Sequence, residues 1–207
     1  MIIAVDGPAA SGKGTIARAL ARHYGLAHLD TGLLYRAAAL NLLRLGLDPE
    51  SEFHAARACD VSQIDFDDPE LRSEAVGGVA SRISAYPLVR HALLERQRHF
   101  AAQPGGAVLD GRDIGTVIAP EAEAKLFVTA SPEVRARRRC EELGRNGLDA
   151  AYEDVLADIR ARDARDSARA AAPLRPADDA ELLDTSDLPI EAAVARAIAI
   201  VDRRMAR

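Results

Sequence analysis

The stretch Ile2-Ile3-Ala4-Val5-Asp6-Gly7-Pro8-Ala9-Ala10-Ser11-Gly12-Lys13-Gly14-Thr15 decides how this chain is read. Ile2 to Val5 form an uninterrupted apolar run, the pattern of a strand buried on both faces of a parallel sheet. Gly7 to Lys13 then match G-x-x-x-x-G-K, with that strand before the motif and a helical pattern over 13–24, stopped by Gly25, behind it. Glycines let the backbone curl so that successive N–H groups face inward. The following helix adds its positive end, and Lys13 brings a mobile cation to the β and γ phosphates. Gly7, Pro8, Ala9, Ala10, Ser11, Gly12, Lys13, Gly14 and Thr15 are therefore expected to cradle a nucleoside triphosphate. The general motif has Ser or Thr directly after the lysine. Here that position is Gly14, and Thr15 follows, so Thr15 is a candidate Mg²⁺ contact, either direct or through water.

Working outward, short apolar runs alternate with longer amphipathic stretches. Residues 27–29, 107–109, 125–129 and 181–184 read as further strands. Helices are expected over 32–45 and at the end of the chain, where Ile190, Val194, Ile198, Val201 and Met205 fall on one apolar face. Residues 50–103 are mostly helical, broken at Pro87, and contain no clear strand, so they form a lobe outside the sheet. The pattern predicts an α/β fold with five strands in an open, mostly parallel sheet. Ligands of such sheets sit beyond the carboxyl ends of the strands, here just after Val5, Leu29, Leu109 and Val128.

Composition narrows the function. The 207 residues are 48% hydrophobic and 29% charged, enough for one substantial core. No apolar run approaches the roughly 20 residues of a membrane span, and Met1 to Gly7 lack the basic-then-apolar order of a secretory leader. The expectation is a cytoplasmic protein with no membrane partner. Cys59 and Cys140 have no CxxC partner and the histidines no ligand spacing, which argues against a disulfide framework or a zinc site. A net charge of -5 argues against sequence-independent binding of a long nucleic acid. Of the 27 basic residues only Lys13 and Lys125 are lysines. Compositional drift explains most of the arginines, but a guanidinium also suits planar anionic groups better than an ammonium does.

Three clusters bear on the acceptor, which could be water, a protein or a small molecule. Leu29-Asp30-Thr31-Gly32-Leu33-Leu34-Tyr35-Arg36 places a capping residue, Asp30 or Thr31, before a helix with Arg36 one turn in. Asp110-Gly111-Arg112-Asp113 follows a strand. Arg162, Asp166 and Arg169 stand at i, i+4, i+7, one face of a helix. Each has an ordinary account: Asp110 could pair with Arg112, and the helix face could be a solvated ion-pair ladder. Beside a phosphate loop, they favour a small, doubly anionic acceptor. No N-K-x-D element is present to read guanine.

GPAASGKGT, LDTGLLYR, PLVRHALLERQRHF, LDGRDIGTVI, SPEVRARRR and RDARDSARAAAPL together resemble bacterial cytidylate kinases in order and spacing, from Ile2 to about Leu183. The resemblance implies the nucleoside-monophosphate kinase type of P-loop fold. Its core would be 1–30, 104–135 and 170–207, its mostly helical monophosphate lobe about 31–103 and its short lid about 136–169. It implies a monophosphate site of Thr31, Arg36, Ser81, Arg90, Asp110, Arg112, Asp113, Arg162, Asp166 and Arg169. Arg36, Arg112 and Arg169 would surround the acceptor phosphate. Arg162 and Asp166 would serve the ribose, and Arg90, Asp113 and Ser81 the cytosine. Lys13, Arg112, Arg138 and Arg139 would be catalytic, the last two, with Arg137 beside them, at the lid near the donor. Asp110 joins Thr15 as the candidate for Mg²⁺ or its waters. The implied activity is transfer from ATP to CMP and dCMP; a monomer is the default expectation, since nothing in the sequence marks an interface. A kinase for UMP or AMP and a non-catalytic ATP-binding module are the alternatives. Many members carry a small β insertion in the lobe, and 59–71 is too short here to hold its full form.

Overall fold

The apolar run forms strand β1 (Ile2–Asp6), at the centre of a five-stranded sheet. On one side stand β3 (Ala107–Gly111) and then β2 (Ala27–Asp30); on the other, β4 (Ala124–Thr129) and then β5 (Glu181–Asp184). β1 is parallel to β3 and β4, and β4 to β5, with Val5 opposite Asp110 and Asp6 opposite both Gly111 and Phe127. The computed structural model describes residues 1–145 and 147–206. Two compact units make up the chain: Met1–Leu29 with Ala101–Arg207, and Asp30–Phe100.

In the first unit, helix α1 (Lys13–Tyr24) begins at the predicted lysine and ends at Gly25, whose φ of 65° is the left-handed cap that glycine supplies without strain. α1 buries Ile16, Ala17, Leu20 and Ala21 against Ile3, Val5, Val108, Leu126 and Val128 of the sheet. Fully burying each of the larger of these side chains contributes about 1.5–3 kcal/mol. The terminal helix, which becomes α8 in chain order (Ile190–Met205), packs on the same core by a face that overlaps the expected one at Val194, Ile198 and Val201 but is rotated toward the alanines. Ala193, Ala197, Ile200 and Val201 are buried, Val194 and Ile198 partly so, while Ile190 and Met205 are largely exposed. Alanines let this helix approach the sheet closely, so the contact face follows the small residues rather than the largest ones. α6 (Pro132–Arg145) and α7 (Tyr152–Ala168) bury Ala136, Leu143, Val155 and Ile159 together, and lie in the same unit as the sheet.

The second unit contains no strand apart from the end of β2. α2 (Thr31–Arg44) is capped by Asp30, whose carboxylate accepts from the Leu33 N–H. It is buried on most of its circumference, including Leu34, Ala37, Ala38, Ala39, Leu40 and Leu42. Around it stand α3 (Glu52–Arg57), a 3₁₀ turn (Pro69–Arg72), α4 (Glu74–Ile83) and α5 (Pro87–Ala101). Pro87, read as a break, is the first residue of α5, where its missing N–H leaves nothing unpaired. Residues 59–71 hold turns and most of the 3₁₀ segment, and no strand.

Candidate active site

The phosphate loop leaves β1 through Gly7, where a side chain is impossible: a Cβ there would stand 2.0 Å from the Val128 carbonyl oxygen. The Gly7 N–H donates to the Gly111 carbonyl, tying the loop to the end of β3. Ala10 (φ 57°) and Gly12 (φ 88°) are left-handed, the turn that points successive N–H groups inward. Lys13 Nζ curls back to donate to the Pro8 carbonyl at 3.3 Å, which places the cation over the loop. Thr15 is exposed on the first turn of α1.

Three further residues hold this loop from outside. Arg135, on α6 and 3% exposed, donates through Nη1 to the Ala9 carbonyl and through Nε to the Ala130 carbonyl. Its other contacts are a two-pronged pair with Asp163 of α7, at 3.0 and 2.5 Å. Thr185, after β5, donates through its hydroxyl to the Ser11 carbonyl (3.1 Å) or the Thr129 carbonyl (3.0 Å). Arg138 donates to the Thr185 hydroxyl and carbonyl at 3.0 and 2.7 Å, which sets its guanidinium beside Gly12. Arg139 turns instead to Glu142, and Arg137 is exposed. The two arginines expected at the donor thus point to different partners. Arg135, unremarked in the sequence, is the buried one of that run.

Beyond β3 the pairings differ from those expected. Asp110, 2% exposed, lies 2.7 Å from His28 Nε2 on the neighbouring strand, and its other oxygen stands beside Gly14. Arg112 pairs with Asp166 of α7 at 2.8 Å, not with Asp110. Asp166 also accepts from Arg169, so this buried carboxylate joins two guanidinium groups, and its carbonyl accepts from the Leu174 N–H as the chain folds back. Arg162 pairs with Asp158, one turn earlier on α7, and Arg169 is the residue that ends the helix rather than part of its face. The i, i+4, i+7 spacing thus overstates the ladder. The strand geometry, which sets Arg112 over α7, supplies the missing partner.

Asp6 is the other carboxylate that sequence reading passed over. It is buried, and its two oxygens accept from the Ile114 and Gly115 N–H groups, each at 2.8 Å. These residues start a π-helical turn (Ile114–Ile118) that follows Asp113. Desolvation pushes the Asp6 carboxyl up to about 7, against the lowering effect of those two N–H groups; Asp113 adds to the rise and Lys13 opposes it. A carboxylate closing an otherwise apolar strand directly before the phosphate loop was the available signal. For His28, Thr185 and the Arg135–Asp163 pair, no local spacing announces contacts made across strands or helices.

In the second unit, Arg36 Nη1 donates to the Leu71 and Ser73 carbonyls at 2.7 and 3.2 Å. The guanidinium rests against Gly77 of α4, where a Cβ would stand 2.7 Å from Nη2. Ser81 follows one turn later on the same face of α4. Its carbonyl accepts from the Ser84 hydroxyl, and the Ser84 carbonyl accepts from Arg90 of α5 at 3.4 Å. Thr31, buried, is the first residue of α2. Arg36, Ser81 and Arg90 therefore gather along α4 within this unit.

Sheet, loop and surrounding cations define a P-loop nucleotide-binding α/β protein. The family described as Cytidylate kinase matches residues 3–203. A cytidylate kinase of Xanthobacter autotrophicus is 64% identical over 100% of this chain and 99% of its own length. One from Azorhizobium caulinodans is 61% identical over 98% of each. The crystal structure of an uncharacterized protein from Eubacterium ventriosum superposes with a TM-score of 0.54 at 16% identity, over 98% of both chains, a likeness of fold alone. The chain belongs to the cytidylate kinase family.

Proposed function

We propose that this protein transfers the γ-phosphoryl group of ATP to CMP and dCMP, releasing ADP and CDP or dCDP. The observation that carries the reading is the phosphate loop with Lys13 folded over it, in a chain matched by the cytidylate kinase family along nearly its whole length. A phosphate oxygen of the acceptor attacks the γ phosphorus in line, and the bond to the bridging oxygen of ADP breaks. That oxygen is already anionic, so no dedicated base is needed, and rate comes from alignment and charge neutralisation.

In this reading Lys13 and the amides of Gly7 to Thr15 hold the donor phosphates, with Arg138 and Arg139 at the donor; Arg139 would exchange Glu142 for it. Arg36, Arg112 and Arg169 hold the acceptor phosphate, Arg162 and Asp166 the ribose, and Thr31 the entry of α2. Asp166 has a second task, setting the spacing of Arg112 and Arg169. Arg90, Ser81 and Asp113 read the base. A carboxylate accepting from the exocyclic amine of cytosine disfavours uracil, whose carbonyl would face another acceptor. Residues 31–103 serve as the monophosphate lobe and 136–169 as the lid, whose closure excludes water.

Mg²⁺, when bound, neutralises charge on the reacting phosphates. Asp110 and Thr15 would hold it or its waters: one buried carboxylate stands beside Gly14, and no cluster of three or more metal-binding side chains occurs among the described residues. That sparse set suits Mg²⁺, which takes most of its ligands from phosphates and water. No described helix is long and apolar enough to cross a membrane. We infer a cytoplasmic monomer acting on small nucleotides. The test is a coupled ADP-release assay across CMP, dCMP, UMP and AMP. CMP and dCMP should give much the highest kcat/KM. Release driven equally by UMP or AMP, or by no acceptor, would refute the assignment.

A further inference from the structure

Asp113 occupies the position before a helical turn, where an aspartate ordinarily folds its own carboxylate over the first N–H groups. Here it makes no such bond. The bonds come from a residue far away in sequence: Asp6 Oδ1 accepts from the Ile114 N–H and Oδ2 from the Gly115 N–H, both at 2.8 Å. On the other side, the Asp113 carbonyl accepts from the Val117 and Ile118 N–H groups at 2.9 and 3.2 Å. The backbone leaving Asp113 is thereby fixed, and β3, which ends at Gly111, fixes the chain shortly before it. The fit is close, since a Cβ on Gly115 would stand 3.1 Å from Lys125 Cδ and 3.4 Å from Asp6 Oδ2. Asp6 is itself fixed, being the last residue of the central strand, opposite Gly111 and one residue before the phosphate loop.

We propose that Asp6 is a specificity-determining positioning residue: by capping the 114–118 turn in place of Asp113, it commits the Asp113 carboxylate to the acceptor base. Asp6 is buried and gives both carboxylate oxygens to the 114–118 turn. Its effect on the reaction runs through the orientation of Asp113, so it should govern which base is accepted rather than how ATP is held. An asparagine at position 6 keeps one acceptor oxygen and turns an NH₂ toward the second N–H. The turn then loses one anchor, and the Asp113 side chain becomes the natural replacement cap.

This inference rests on Asp113 reading the base, so the experiment is a double-mutant cycle of D6N and D113N, with kcat/KM measured for CMP and UMP. That ratio is independent of the fraction of active enzyme. D6N should lower the preference for CMP over UMP by about tenfold while leaving KM for ATP within about twofold. The double variant should be no less selective than D113N alone, because both substitutions act on one group. Preference lost in D113N but kept in D6N would overturn the role of Asp6. Preference kept in D113N would overturn the base-reading role of Asp113, and with it the route proposed for Asp6. Equal losses for CMP and UMP in D6N would make Asp6 merely structural. Should D6N not fold, hydrogen exchange in the wild type decides. The Ile114 and Gly115 amides should be protected at least about 100-fold over exposed loop amides, and fast exchange would overturn the proposal.

Discussion

Two three-membered ion clusters in this chain have inverse compositions, one carboxylate between two guanidinium groups and one guanidinium between two carboxylates, and opposite settings. In the first unit Asp166 joins Arg112 and Arg169, with Asp166 and Arg169 about 5% exposed or less. In the second, Arg44 joins Asp68 and Glu70, and is itself 47% exposed. The exposed cluster sits in high dielectric, is screened by salt, and holds long side chains that gain little from being held. The buried one has already been desolvated, so each charge depends on its partners and removal of one leaves the others uncompensated. The contrast teaches that charge spacing in a sequence does not locate a site. The fold decides which of two similar spacings is buried, and burial decides how much each charge depends on its partners.

The contrast can be broken most severely at Asp166. D166A should leave Arg112 and Arg169 facing each other and destabilise the fold by about 3 kcal/mol. It should also lower kcat/KM for CMP by about 100-fold, read by calorimetry and steady-state kinetics; a fully active, stable variant would show that the pair is ornamental. Next is G77A, which forces a methyl group to within 2.7 Å of the Arg36 position. Displacing that guanidinium should raise KM for CMP about tenfold with KM for ATP unchanged, and parallel changes in both would point to general disruption.

A second buried carboxylate sharpens the contrast through pH. The Asp6 carboxyl stands near 7 when folded against 3.8 as its ordinary value, so between those values the folded state binds the extra proton. Stability from this group is therefore greatest in acid and falls as pH rises through that window. Lys13 on α1, Asp113 after β3 and the stem of Lys125 on β4 are the charged residues around it. The Tm of D6N relative to wild type should rise steadily from pH 4 to 7; a difference independent of pH would mean that Asp6 does not titrate there. The smallest effect belongs to the exposed cluster. R44A should leave kinetics unchanged and shift Tm by no more than about 2 °C, and a larger shift would erase the distinction.

How much of this was legible follows from where the contacts lie. The phosphate loop is a contiguous signal, and its strand, turn and helix fall where the residues imply. Arg36 was legible in the cluster after the second strand and Ser81 and Arg90 only through the resemblance, while the approach of Arg36 to α4 depends on Gly77, a residue with no side chain to notice. Arg162 illustrates the limit of periodicity, since helical spacing permits a pair with Asp166 and equally with Asp158, which it takes. The Asp6 carboxylate meets the Ile114 N–H across 108 residues, and His28 meets Asp110 across 82, because their strands lie side by side in the sheet, and no local pattern encodes register between strands. In α8 the eye follows large apolar residues, whereas close approach to the sheet favours the alanine face.

The most direct measurement follows the phosphoryl group itself. With ATP labelled at the γ phosphate and CMP as acceptor, the account predicts that the label appears in the β phosphate of CDP, and that K13A slows its arrival by about 100-fold or more while staying folded. Label released as inorganic phosphate whether or not CMP is present, or transfer unaffected by K13A, would contradict it.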